Sequence, residues 1–212
     1  MSSTTAAQKF DPARANEYQA QSRIALAGYD ACHELSACML SATIGSDNPA
    51  RILIVGAGGG AQEIITASVA GPKWHFTAVD PSKPMMDIAV ARLAEKGLAE
   101  RTDFHLGYAD DLPTDRQFDA ATLFGVLHHQ PGETAKRQIL DSIASRLAPG
   151  APLILAGNRY AYSSQPLLLT AWSRAVQRCL RARLLRRGRM PPRAARYRSC
   201  ASVPVGLAFR ML

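Results

Sequence analysis

The stretch Arg51-Ile-Leu-Ile-Val-Gly-Ala-Gly-Gly-Gly60 decides the fold of this chain. Its first half is short, apolar and β-branched without polar alternation, which is typical of a parallel strand covered on both faces. The glycines let the backbone turn sharply and approach a ligand closely. Residues 61–69 are compatible with a helix whose first N–H groups and positive dipole end would face that ligand. The pattern therefore predicts a strand, a ligand-binding turn and a helix.

Asp80 ends the next apolar run, twenty residues after Gly60. A carboxylate at this offset can accept hydrogen bonds from both hydroxyls of a ribose. A glycine-rich turn alone would serve equally well for tight packing of a strand on a helix, but Asp80 favours a nucleotide-type cofactor. The glycine spacing also fits the G-x-G-x-x-[GA] pattern of NAD-binding folds, so these residues alone leave the cofactor open.

Apolar runs and helical patterns alternate along most of the chain. Strands are predicted at 51–56, 74–80, 102–107, 118–124 and 152–157, and helices at 11–27, 28–43, 60–70, 82–97, 132–147 and 165–187. Five strands in βαβ alternation predict an α/β fold with a doubly wound, mostly parallel sheet. The expected organisation is a helical cap at 1–50, a cofactor-binding domain at 51–187 and a basic, disordered tail at 188–212.

Three further segments resemble the class I S-adenosylmethionine-dependent methyltransferases. Val79-Asp80-Pro81-Ser82 with Met85-Met86 is similar to the family's "D-x-S-x-x-M" after its second strand. Gly107-Tyr-Ala-Asp-Asp-Leu-Pro113, followed by Phe118-Asp119, is similar to its "GDAEDLP…FD" segment, and Arg146-Leu-Ala-Pro-Gly150 to its "LKPGG" turn. The resemblance covers about residues 10–180 and implies a Rossmann-like fold, with S-adenosyl-L-methionine as the cofactor.

The resemblance also implies which residues bind this cofactor. Asp80 would hold the ribose, and the residues after the third strand would hold the adenine. The implied cofactor-binding set is Gly56, Ala57, Gly58, Gly60, Asp80, Pro81, Met85, Tyr108, Ala109, Asp110 and Phe124. Two positions depart from the family pattern, because Ile54 and Tyr108 stand where the family commonly has acidic residues.

His128 is the one candidate for a catalytic base. It follows the fourth strand at the carboxyl edge of the sheet, where ligands bind in open α/β folds, although a purely structural role is favoured over a catalytic one. A metal site is not expected, because the cysteines and histidines show no zinc-ligand spacing.

Charge is divided unevenly along the chain. The net charge is +8, yet all 17 acidic groups lie within residues 1–141, and residues 142–212 carry arginines but no Asp, Glu or Lys. Three interpretations are open for the arginines. They could form a cationic segment that binds RNA or an anionic membrane, or the solvated face of a helix. The third interpretation, which we favour, is a change of reading frame near residues 180–190. In the last case the two strands that the family adds after strand five would be missing, and only 201–212 could pair as a single strand.

The sequence therefore predicts an S-adenosylmethionine-dependent methyltransferase that acts on a small-molecule or tRNA-derived acceptor. Alternatives are a truncated, inactive S-adenosylmethionine-binding remnant, a carboxy-S-adenosylmethionine synthase-like enzyme and an NAD-dependent oxidoreductase. The chain has no run of eighteen apolar residues and its first residues lack a secretory signal, so a cytoplasmic protein without a membrane span is expected. The oligomeric state is left unassigned.

Overall fold

The computed structural model describes residues 28–115, 117–158 and 207–211, together with Ser22 and helical positions scattered between 166 and 177. Its helices are α1 (Tyr29–Ile44), α2 (Gln62–Ala70), α3 (Lys83–Glu95) and α4 (Gly132–Ala144). Its strands are β1 (Ala50–Val55), β2 (Trp74–Asp80), β3 (Thr102–Leu106), β4 (Ala120–Phe124), β5 (Leu153–Asn158) and β6 (Leu207–Met211).

These strands form one sheet in the order β3-β2-β1-β4-β5-β6. Neighbours from β3 to β5 are parallel, and β6 runs antiparallel to β5. The chain winds outward from β1 in one direction through β2 and β3, and in the other through β4 and β5. The strand order therefore reverses between β1 and β4, and open α/β sheets bind ligands at the carboxyl end of such a point. The predicted doubly wound α/β fold is confirmed.

The sheet is covered on both faces, which explains why β1 shows no alternation. Ile52 and Ile54 belong to a buried cluster shared with α1, α2 and α3, whereas Leu53 and Val55 belong to a second cluster shared with α4. All four side chains are buried, and burying each contributes about 1.5–3 kcal/mol.

The predicted strand positions agree closely with the structure, and the differences lie at helix ends. Helix α4 ends at Ala144 instead of 147, because the chain turns there and Leu147 bridges to Phe118. The predicted helix at 11–27 lies outside the described residues except for Ser22, which is helical, and only scattered positions of the helix at 165–187 are described.

Strand β6 departs from the prediction of a disordered tail over 188–212. Residues 207–211 pair with β5, from Asn158 opposite Leu207 to Ile154 opposite Met211. An uncovered β5 would leave a row of unpaired N–H and C=O groups, and β6 satisfies them. Pro204 and Gly206 precede the strand and so do not interrupt it. The tail prediction is wrong for these five residues, and residues 188–206 lie outside the described part of the chain.

Candidate functional site

The glycine turn connects the end of β1 to the start of α2. The N–H groups of Gly56 and Ala57 both donate to the carbonyl oxygen of Val79, which ties the turn to the neighbouring strand β2. Gly56 has a φ of +81°, and a methyl group of Val126 occupies the place where its Cβ would lie. A side chain at this position would therefore be strained in its backbone and would clash with the loop after β4.

Asp80 is the centre of the candidate site. Its carboxylate is 8% exposed and accepts two backbone hydrogen bonds, from the Gly58 N–H to Oδ2 and from the Ser82 N–H to Oδ1, each at 2.8 Å. A Cβ on Gly58 would collide with Oδ2 and would lie 2.6 Å from the Cβ of Met85. The glycine thus permits the close approach between the turn and the carboxylate.

Burial controls the ionisation of Asp80. Loss of solvent raises the pKa of this carboxyl group above its ordinary value, and the nearby Glu63 raises it further, while the two backbone hydrogen bonds act in the opposite direction. A carboxylate has room for further donors on each oxygen. The arrangement suits a neutral ligand group with paired hydroxyls, which would donate to the remaining lone pairs.

Arg92 of α3 fixes the far side of the glycine turn. Its guanidinium donates to the carbonyl oxygen of Gly60 at 2.6 Å and to Oε1 of Gln62 at 2.8 Å. These contacts hold the last glycine and the first residue of α2 in place. Sequence reasoning did not identify Arg92, since nothing in a local motif connects it to a turn some thirty residues earlier.

The loop after β3 supplies the residues expected near an adenine. Tyr108 is 65% exposed and Ala109 is buried, while the side chain of Asp110 faces solvent. The neighbouring Asp111 is the carboxylate that organises the loop, because its Oδ2 accepts the Tyr108 N–H at 2.7 Å.

A buried arginine stabilises this loop through hydrogen bonds to its backbone. Arg146 is 5% exposed and donates to the carbonyl oxygens of Asp110, Leu112 and Ser142. It therefore connects the loop to the end of α4. The residue stands in the segment that resembles the "LKPGG" turn, but the motif gave no signal of this role.

The other predicted site residues are placed at the same edge with different exposure. Ala57 and Met85 are buried, Pro81 is exposed, and Phe124 is partly buried at the end of β4. His128 is exposed in the short turn after β4, and its ring lies 4.0 Å from that of His129 between centroids. Among the described residues, no helix is long and apolar enough to cross a membrane, and no group of acidic, histidine or cysteine side chains could hold a metal.

A buried ion pair joins α1 to the first turn of α2. Nε2 of His33 lies 3.7 Å from Oε2 of Glu63, and the two side chains are 4% and 11% exposed. Burial alone would lower the pKa of His33, but Glu63, the Tyr29 carbonyl and Asp30 together outweigh it, so the pKa is raised.

Comparison with known proteins adds to this geometry. Residues 52–150 match the family model described as a methyltransferase domain. The match runs from β1 to the turn before β5 and includes Asp80 and the glycine turn. Over these residues the chain is similar to methyltransferase domains.

Two curated relatives of this methyltransferase domain come from strains of Rhodopseudomonas palustris, TIE-1 and ATCC BAA-98 / CGA009. Both are ubiquinone/menaquinone biosynthesis C-methyltransferases (UbiE), 35% identical over 82 residues. The match covers 38% of this chain and 32% of each relative, so the chain corresponds to about a third of their length.

Solved structures share the fold of the domain. A candidate S-adenosyl-L-methionine-dependent methyltransferase from Methanococcus maripaludis superimposes with a TM-score of 0.57 at 17% identity, over 88% of this chain and 75% of that one. The [4+2]-cyclase SpnF superimposes with a TM-score of 0.50 at 25% identity, over 60% of this chain and 47% of its own.

Proposed function

We propose that this methyltransferase domain binds S-adenosyl-L-methionine and transfers its methyl group to a small-molecule acceptor. The observation that carries the proposal is the contact between Asp80 and Gly58, in which a buried carboxylate closes on a turn that has no space for a Cβ. The carboxylate can accept hydrogen bonds from a ribose, and the turn without a Cβ lets the substituent on that ribose approach the backbone. The family match over residues 52–150 supports the choice of cofactor.

Each predicted binding residue has a proposed task. Asp80 accepts the ribose hydroxyls, and Gly56, Ala57, Gly58 and Gly60 give the ligand access to the backbone. Pro81 and Met85 line the start of α3, and Phe124 closes the side towards β4. Tyr108, Ala109 and Asp110 would flank the adenine, with the exposed Tyr108 ring available to pack on it.

S-adenosylmethionine supplies a methyl group that is already activated by its sulfonium. The chain has to align the acceptor and exclude water, and such positioning can contribute ~7–11 kcal/mol. His128 is proposed as the general base that removes a proton from a methyl acceptor with a hydroxyl or an amine, because it lies at the carboxyl edge beside β5. A Cβ on Gly157 of β5 would lie 3.7 Å from its Nδ1.

The acceptor is proposed only as a class. The curated relatives are C-methyltransferases of quinone biosynthesis, which supports a small organic acceptor, but they match over a third of their length. A tRNA-derived acceptor and a carboxy-S-adenosylmethionine synthase-like reaction stay open as alternatives. The similarity to the cyclase SpnF adds the alternative that the fold serves a reaction other than methyl transfer.

Isothermal titration of S-adenosylhomocysteine into the full chain tests the proposal, with NAD as the control ligand. We expect saturable binding of S-adenosylhomocysteine alone, abolished by Asp80→Ala and kept by Asp103→Ala, a control on the edge strand β3. A folded chain that binds neither compound, or binds NAD alone, would overturn the proposal. Binding without methyl transfer to any quinol, phenol or amine acceptor would favour the inactive remnant.

A further inference from the structure

His33 connects three elements around the candidate site. Its Nδ1 lies 2.7 Å from the carbonyl oxygen of Tyr29 on α1, its Nε2 lies 3.7 Å from Glu63 on α2, and its ring meets Phe124 at the end of β4 edge-on, with centroids 5.4 Å apart. The side chain is 4% exposed, so these contacts are made away from water.

The contact with Tyr29 decides which nitrogen of His33 carries a proton. A carbonyl oxygen only accepts hydrogen bonds, so Nδ1 must be the donor at this distance. Nε2 then faces the carboxylate of Glu63. When Nε2 is protonated as well, the ring is a cation beside the Glu63 anion. The contact is an ion pair and not a hydrogen bond, because 3.7 Å is too long for the latter.

Glu63 makes this pair relevant to the ligand. It stands in the first turn of α2, directly after the glycine turn, and its charge reaches Asp80, whose pKa it helps to raise. Without a compensating cation, Glu63 would add a second buried negative charge beside Asp80. Phe124, whose ring also contacts His33, is itself among the proposed cofactor-binding residues.

We propose that His33 is a positioning residue for the cofactor: it docks α1 onto the glycine turn, holds the Glu63 carboxylate away from Asp80 and fixes the ring of Phe124. The inference rests on the proposed function, because it assigns a role at that same site. It gives α1, which lies before the matched domain, a part in cofactor binding.

The sign of the resulting pH dependence follows from the groups around His33. These are Glu63 from α2, Asp30 together with the carbonyl oxygen and the phenol ring of Tyr29 from α1, and Phe124 from β4. Because the pKa of His33 is raised, the cation persists above the usual range for histidine, near 6.5. As the pH rises through the raised pKa, the ion pair is lost and Glu63 stays uncompensated. Affinity for S-adenosylhomocysteine should therefore fall on the alkaline side.

The experiment is a titration of S-adenosylhomocysteine at intervals from pH 6 to pH 9, with the full chain and three variants. We expect the wild type to lose affinity by about 3- to 10-fold across this range, as for a perturbed contact worth ~1 kcal/mol. His33→Gln should bind more weakly at pH 6 and show no alkaline step, and Glu63→Gln should also lose the step.

His75→Gln is the matched control. His75 also faces a carboxylate, with Nε2 3.2 Å from Oδ2 of Asp103. This pair is exposed and lies near the start of β2 and β3, whereas the glycine turn follows the end of β1. Its profile should match that of the wild type. If His33→Gln does not fold, NMR titration of the His33 ring in the wild type replaces it, and the ring resonances should shift when S-adenosylhomocysteine is added.

The outcomes separate the two proposals. A wild-type chain that fails to bind S-adenosylhomocysteine overturns the proposed function. A wild-type chain that binds, together with a His33→Gln variant of unchanged affinity and pH profile, overturns the role of His33 alone. His33 ring resonances that neither titrate above pH 6.5 nor shift on addition of the ligand would likewise overturn the role of His33.

Discussion

The N–H of Gly58 donates to Oδ2 of Asp80 at 2.8 Å, across 22 residues of sequence. The two residues that suggest a nucleotide-type cofactor in the sequence are therefore partners in the folded chain. Asp80 positions the turn as well as offering lone pairs to a ligand, so substitutions at either residue should affect both structure and binding.

Gly58→Ala is expected to impair both stability and binding. The added Cβ would collide with Asp80 and press on Met85, and overpacking of this kind costs about 1–3 kcal/mol. We expect a lower melting temperature and a loss of S-adenosylhomocysteine affinity of at least ~10-fold, which corresponds to ~1.4 kcal/mol. Thermal melts and calorimetric titration measure the two effects.

Gly97→Ala serves as the control for Gly58→Ala. Gly97 has a φ of +67°, and, apart from its chain neighbours, no atom of the described residues lies within 4 Å of the place where an added Cβ would stand, so alanine there strains only the backbone. It should lower stability by about 1–2 kcal/mol and leave affinity unchanged. Equal losses of affinity in both variants would contradict a specific role for the Gly58 contact.

Acidification should weaken cofactor binding through Asp80. A ligand that donates hydroxyls to Asp80 binds its ionised form, so affinity should fall as the pH falls through the pKa of this group. Because burial raises that pKa, the loss should begin at a higher pH than for an ordinary aspartate, near 3.9. Titrations between pH 7 and pH 4 measure the midpoint.

In the unliganded chain the raised pKa of Asp80 has the opposite consequence. The folded state binds this proton more tightly than the unfolded state, so Asp80 contributes most to stability below its unfolded pKa, and this contribution is lost as the pH rises through the folded pKa. Asp80→Asn removes the titration but places an amide donor opposite a backbone N–H. It should bind S-adenosylhomocysteine weakly, with an affinity that does not change between pH 7 and pH 4. If the affinity still fell on acidification as in the wild type, another group would be responsible.

Arg92→Met should weaken cofactor binding while preserving the fold. The substitution removes the hydrogen bonds to the Gly60 carbonyl and to Gln62 but keeps an unbranched side chain on α3. We expect affinity to fall by about 5- to 20-fold, since each lost bond to a charged donor is worth ~1.5 kcal/mol or more, partly offset by solvent. Lys83→Met, on the same helix in an exposed pair with Asp87, should bind as the wild type does.

Arg146→Met should destabilise the chain. It would remove the partly buried hydrogen bonds to the carbonyl oxygens of Asp110 and Leu112, and a hydrogen bond to a charged donor contributes about 1.5–3 kcal/mol. Urea denaturation should show a lower midpoint. Arg137→Met on the exposed side of α4 is the control, and a midpoint equal to that of this control would refute the assigned role.

Cys32 should resist alkylation in the native chain. Burial, with a contribution from Glu63, raises the pKa of its thiol to about 12, so only a minute fraction is thiolate at neutral pH. Cys38 is exposed on the same helix. Peptide mapping after brief iodoacetamide treatment should find Cys38 modified and Cys32 unmodified until denaturant is added.

The sheet could be predicted because its signals are local. The unbroken apolar run in β1, the glycines after it and Asp80 at the end of β2 each act through neighbours in sequence, and their positions agree with the structure. Boundaries were less accurate where tertiary contacts compete with helix propensity, as at the end of α4, where residues 145–147 turn to meet Phe118.

The supporting contacts of the site could not be predicted in the same way. Arg92, Arg146 and His33 act on residues about thirty or more positions away, and an isolated arginine or histidine on a helix has no pattern that names its partner. Strand β6 lies within residues 201–212, the segment that the sequence offered as a possible single strand, but no local signal indicated its pairing with β5, far earlier in the chain. The individual cofactor contacts stay predictions that the titrations above test.

Strand β6 has an electrostatic consequence that follows from its direction. Since it runs antiparallel to β5 with Leu207 opposite Asn158, the chain leaves the sheet and returns to it at the same edge, where the parallel strands end and the ligand is proposed to bind. The connecting residues 159–206 contain eleven arginines and no acidic residue. Both anchoring points of the most cationic segment thus lie on the ligand side of the sheet, and long-range attraction would draw anions from solution towards that side.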